Sequence, residues 1–190
     1  MAVKEIFGGI NFGGIVGGWQ PVLMPASKLP QDLASGWVEA MDGYVGADIN
    51  PVYVLGTQLV NGYNYAIISD ITRVTNPPVK KTGIVIINVP FNGPVRDGKG
   101  SKVVRIITSE EPEITPEVQV LFDKAKEGLL GVDHKAIACV GSQVVNGTMF
   151  YIICESTPVR PGAAPYASLA KLWIKSDGTA EVTFDRIPKR

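Results

Sequence analysis

The chain lacks most of what would point to chemistry. Its 190 residues include two cysteines, Cys139 and Cys154, too few for a disulfide framework or a zinc site. The single histidine, His134, has no cysteine near it in sequence, so no metal site is expected. Lysine plus arginine number 18 and aspartate plus glutamate number 18, so no basic surplus points to nucleic acid and no acidic tail is present. No run of about 18 apolar residues exists to span a membrane. The opening stretch, MAVKEIFGGINFGGIVGGW, is broken by glycine pairs and lacks the roughly 7–15 continuous apolar residues of a secretory signal. A cytoplasmic protein is therefore expected, or a secreted one if a native leader is missing. No serine sits in a nucleophile elbow, no glycine-rich loop ends in Lys-Ser or Lys-Thr, and no carboxylate pair recurs in a catalytic frame. The expectation is no enzyme, no catalytic residue, no cofactor and no metal. His134, in GVDHK, reads as a solvated loop residue.

What is present is a core and a repeat. Hydrophobic residues make up 45% of the chain and charged residues 19%, enough for packed domains. Residues 56–70 read GTQLVNGYNYAIISD, and residues 141–155 read GSQVVNGTMFYIICE, an offset of 85. The register extends upstream: Trp37 meets Phe122, Ala40 meets Ala125, Gly46 meets Gly131 and Asp48 meets Asp133. Two copies at this spacing read as a tandem duplication of a small domain, because a solenoid needs at least three shorter units.

Each copy carries the same order of elements. In copy 1 a helix is expected near residues 30–45, with Leu33, Trp37, Ala40, Met41 and Tyr44 on one face and Gly46 as its stop. In copy 2, Thr115-Pro116 reads as an N-cap followed by proline at the first helical position. There Val118, Leu121, Phe122, Ala125 and Leu129 form the apolar stripe, and Gly131 ends it. Two strands follow around Asn61-Gly62 and around Asn146-Gly147, where a type I′ turn is expected. Two more strands follow in each copy. The fold class is α+β, with one helix laid on a four-stranded antiparallel sheet in each unit. The expected division is an arm over 1–18, one domain over 19–108 and a second over 109–190. Counting outward from Asn146-Gly147 sets Cys139 opposite Cys154, within reach of a disulfide. Copy 1 has Val54 and Ser69 at those places, so two free thiols are the expected state.

A helix followed by a strand ending in Gln-x-Val-x-Gly resembles the cystatins and stefins, a family that inhibits papain-like cysteine proteases. The matching residues are Gln58, Leu59, Val60, Asn61 and Gly62, and again Gln143, Val144, Val145, Asn146 and Gly147. Gly17 and Gly18 stand where that family has a glycine on its N-terminal trunk. The family's Pro-Trp in the second hairpin has no counterpart, since Trp19, Trp37 and Trp173 each follow a residue other than proline. The resemblance implies two cystatin-like units and a reversible, non-covalent wedge of trunk and hairpins entering a protease cleft. The implied partner is a papain-like cysteine protease or another protein, with no nucleic acid and no membrane. Copy 1 is the expected better head, because only it has a free trunk. The alternative reading is a non-inhibitory tandem module that binds a protein or peptide.

Overall fold

The computed structural model describes residues 18–91 and 100–189. The arm expected over residues 1–18 therefore lies outside the described residues except for Gly18. Two compact units are present, dividing between Ile106 and Ile107, with the second running to Ile187. The fold is mixed α+β, with one five-stranded and one four-stranded antiparallel sheet and two α-helices among the described residues.

The first unit opens with β1 (Trp19–Pro25), a short 3-10 turn (Ala26–Lys28) and helix α1 (Gln31–Met41). A meander follows: β2 (Ala47–Val60), β3 (Gly62–Arg73), β4 (Val79–Val89) and β5 (Lys102–Thr108), with sheet order β1-β2-β3-β4-β5. This corrects the four-stranded expectation. Trp19–Pro25 pairs antiparallel with β2, so the segment before the helix is a strand. Two prolines and a register shift between Pro21 and Met24 hide it, because they break the period-2 pattern that marks strands. Helix α1 buries Leu33, Trp37 and Ala40 against Val54, Ile67, Val85 and Ile87 of the sheet. Its spacing of i, i+4, i+7 is that of an amphipathic helix with one face in the core. Gly36 allows close approach, since a Cβ there would meet Val89 Cγ2 at 2.8 Å.

The second unit has helix α2 (Pro116–Ala125), then β6 (Val132–Val145), β7 (Gly147–Pro158), β8 (Tyr166–Ile174) and β9 (Ala180–Arg186) in the order β6-β7-β8-β9. Thr115 caps α2 by accepting a hydrogen bond from Val118 N at 3.4 Å, with Pro116 at the first position, as the sequence indicates. Val118 and Phe122 pack on Ala136, Ile152, Cys154, Ala170 and Leu172.

Both helices are shorter than expected. Tyr44 and Leu129 fall beyond them and are exposed, so neither belongs to a buried stripe. The left-handed residues nearest the helix ends are Gly43 and Gly128, ahead of the expected stops at Gly46 and Gly131.

The two units repeat each other in detail. Strands β2 and β6 both have 14 residues, and β3 and β7 both have 12. The β2–β3 ladder slips between Pro51 and Tyr53 and again between Val54 and Gly56. The β6–β7 ladder slips between Ala136 and Ala138 and between Cys139 and Gly141, at the same places 85 residues on. Left-handed glycines recur at the same offset as Gly43 and Gly128, Gly46 and Gly131, and Gly62 and Gly147.

The bulges overturn the cysteine pairing. Each adds a residue to β6, so Cys139 faces Ile152, and Cys154 faces Ala136 and Ser168. Both thiols are free. Burial pushes both thiols up, which keeps them protonated at neutral pH.

Candidate functional site: the hairpin tips

The β2–β3 hairpin turns at Asn61, with Val60 paired to Gly62. Gly62 has φ +100, while Asn61 is not in the left-handed region, and the same holds for Gly147 at φ +103 and Asn146. A type I′ turn needs positive φ at both central residues, so it is not the turn formed here. The glycine is needed for a second reason. A Cβ on Gly62 would lie 2.3 Å from the Val89 carbonyl oxygen, and one on Gly147 would lie 2.0 Å from that of Ile174. The neighbouring strand crosses directly beneath each tip, and these glycines belong to the sheet more than to the leading edge.

Three segments of the first unit meet at this end. Trp19 pairs with Gln58, so Gly18 leaves β1 toward the tip. Tyr63 pairs with Val89, so β4 ends beside the same tip. Gln58 Oε1 accepts from Asn64 Nδ2 at 3.1 Å. Asn64 Oδ1 accepts from Asn88 Nδ2 at 3.0 Å, and Asn88 Nδ2 also reaches Asn61 O at 3.4 Å. This amide chain ties the tip to β4, and Gln58 acts in it as a brace. The side chains left facing out are apolar: Leu59 is 66% exposed and Phe91 58%, with Val60 and Tyr63 beside them. Tyr63 and Phe91 stack edge to face with centroids 5.3 Å apart. Leu59, Val60, Tyr63 and Phe91 thus form a cluster of exposed apolar residues on a braced backbone.

The second tip is built on other chemistry. Gln143 Oε1 accepts from Tyr151 OH at 2.9 Å. Trp173 Nε1 donates to Asn146 O at 2.9 Å, and Ser176 Oγ donates to Asn146 Oδ1 at 2.9 Å. Trp173 stands where the first unit has Asn88, and Lys175 lies over its ring at 4.9 Å. Val144 is 87% exposed, with Val145 and Asn146 next to it. No strand equivalent to β1 accompanies this tip among the described residues. Among the described residues, the one pairing outside named strands is a parallel bridge from Glu113 to Ala138, in the middle of β6 and away from the tip.

Of the sequence-derived site residues, Gly18, Gln58, Leu59, Val60, Asn61 and Gly62 lie together at one end of the first sheet. Gln143, Val144, Val145, Asn146 and Gly147 lie together on the second. Gly17 is outside the described residues. Tyr63, Asn88, Phe91 and Trp173 belong to the tips and were missed. Asn88 and Trp173 share a position 85 residues apart but not a residue type, so no identity marks them.

His134 is not a loop residue. It sits in β6, 9% exposed, with Nδ1 2.6 Å from Ser156 Oγ. Among the described residues no group of three or more His, Cys, Asp or Glu is placed to hold a metal ion. No helix among them is long and apolar enough to cross a membrane.

No family model matches the chain, and no curated protein matches it. Among solved structures, the chain is similar to mouse fetuin-B over 87% of its own length and 70% of that chain, at 10% identity and a TM-score of 0.25.

Proposed function

We propose that this chain is a reversible, non-covalent inhibitor of papain-like cysteine proteases, with two cystatin-like units that arose by tandem duplication. The equal strand lengths, the two matching bulges and the matching left-handed glycines support duplication, since bulges are inherited features of a family's backbone. One observation carries the inhibitory reading: Trp19 beside Gln58 and Val89 beneath Gly62 bring trunk, hairpin and the end of β4 to one end of the first sheet. Leu59, Val60, Tyr63 and Phe91 then offer an apolar, pre-shaped edge. Affinity in such an edge comes from a few well-packed apolar anchors and from low ordering cost. No nucleophile or metal is called on, and the partner is a protein.

The test is titration of the purified chain against papain, with Leu59→Asp beside wild type. Leu59 is too exposed for the change to disturb the core, so thermal unfolding should be unchanged. Inhibition should weaken at least tenfold, about 1.4 kcal/mol. Wild type that leaves papain fully active would sink the inhibitory reading. A second reading then stands on the second tip. Val144 and the Trp173-braced turn are exposed without an adjoining trunk, which fits a general protein- or peptide-binding module.

A further inference from the structure

The second unit contains a polar cluster where the first has plain core. His134, Ser156 and Ser168 occupy the positions of Ile49, Ile71 and Gly83, each 85 residues upstream. Ile49 and Ile71 are core residues of the first unit. In the second, His134 Nδ1 lies 2.6 Å from Ser156 Oγ, and Ser156 Oγ lies 2.6 Å from Ser168 Oγ. Both serines are fully buried. The imidazole stacks on Phe184 of β9, with centroids 3.5 Å apart and planes 7° from parallel. Phe184 in turn meets Phe122 of α2 edge to face. One histidine therefore joins β6, β7, β8 and β9, with α2 behind them.

The hydroxyl chain is indifferent to charge. With neutral imidazole, Ser156 donates to Nδ1 and Ser168 donates to Ser156. With imidazolium, both hydroxyls rotate and the chain runs the other way. The surroundings are not indifferent. Burial penalises the cation first. The Lys126 ammonium, at the end of α2, donates to the backbone carbonyl of His134 at 2.5 Å and adds repulsion. Asp133 opposes these, but it is exposed and shared with Lys135. Asp123 offsets part of the Lys126 charge at 3.5 Å. The Phe184 face favours a cation, though by less than burial of the ring costs it.

We propose that the second unit carries a proton-operated release. Protonation of His134 loosens β9 and α2 from the rest of its sheet, while the first unit, with Ile49 at that place, holds. His134 has its pKa lowered in the folded state, by burial and then by Lys126. The folded unit thus binds fewer protons than the unfolded chain. Its full stability is present above the unfolded value of about 6.5 and is lost as pH falls below it.

The chain has one histidine, so untagged full-length protein gives a single imidazole signal by NMR. Its midpoint is expected below 6.5. Amide protection in residues 132–186 should fall between pH 7 and pH 5, while protection in residues 47–89 stays level. Lys126→Gln should raise the midpoint toward 6.5 and make the loss of protection smaller, because the gap between the folded and unfolded values narrows. His134→Asn should flatten the pH response. A midpoint at or above 6.5 in wild type, protection that persists through the midpoint, or equal losses in both units would each overturn the proposal. Lys126→Gln removes the charge of a side chain that is 24% exposed and leaves an amide able to donate to the His134 carbonyl, so it decides the matter even if His134→Asn does not fold.

Discussion

At the scale of single residues, two glycines with the same φ sign do different work. Gly131 has φ +92 and open space around it, so Gly131→Ala meets only the left-handed backbone and should cost about 1 kcal/mol. Gly147 has φ +103 and a strand carbonyl 2.0 Å from any added Cβ. Gly147→Ala should cost several times as much as Gly131→Ala, with the β7–β8 ladder displaced, and urea unfolding of the two variants compares them. The same crossing makes Gly62 a poor place to add bulk when testing the edge, and Leu59 the better one. The sequence marks Gly62 and Gly147 as special through their repetition. The reason is hidden, because the clash is with a strand 27 residues on, and no local pattern encodes that distance.

At the scale of elements, the N-cap of α2 and the places of the two hairpins were legible, and the helix ends, the turn type and the bulges were not. Thr115-Pro116 is a local signal with a local cause, and Thr115→Ala should cost about 1 kcal/mol by thermal or urea unfolding. The bulges fall at Val52 and Leu55 and at Ile137 and Val140, which are apolar like their neighbours. Nothing in residue type separates a bulged valine from a paired one, so a count from the turn drifts, and the cysteines are misplaced by it. Strand β1 was lost for a related reason, as its prolines read as loop. The tie from β8 to the second tip gives a further expectation. Trp173→Phe keeps the ring but removes the donor to Asn146 O, so amides of residues 144–148 should exchange faster. The global cost should stay near 1 kcal/mol, since water replaces the lost bond at an exposed turn.

At the scale of the whole chain, the offset of 85 led to an expectation of two units, and two compact units are present. It could not show where the units differ. Among the described residues, the first tip has a strand leading to it and the second does not, and the His134–Ser156–Ser168 chain has no counterpart at Ile49, Ile71 and Gly83. Deleting residues 1–17 should therefore weaken papain inhibition more than Val144→Asp does, read as the ratio of inhibition constants. Equal losses would show that the second tip contributes as much as the first. The candidate site was half legible: the repeated Gln-x-Val-Asn-Gly marked both tips. Their aromatic and amide partners came from β4 and β8, which the motif does not reach.

The last hairpins of the two units close over different lengths of chain. Residues 90–101 separate β4 from β5, while only residues 175–179 separate β8 from β9. Twelve connecting residues against five raise the entropy of loop closure by roughly 0.8 kcal/mol. The short connection also carries its own stop, as Asp177 accepts from both the amide and the hydroxyl of Thr179, and Lys175 pairs with Glu181 across it. The consequence is one of timing. β8 and β9 can meet early in folding, so α2 has a nearly complete sheet to settle on. β5 must be gathered in from further away, which makes closure of the first sheet the slower step. In a refolding experiment followed by pulsed hydrogen exchange, amides of β8 and β9 should gain protection before those of β4 and β5.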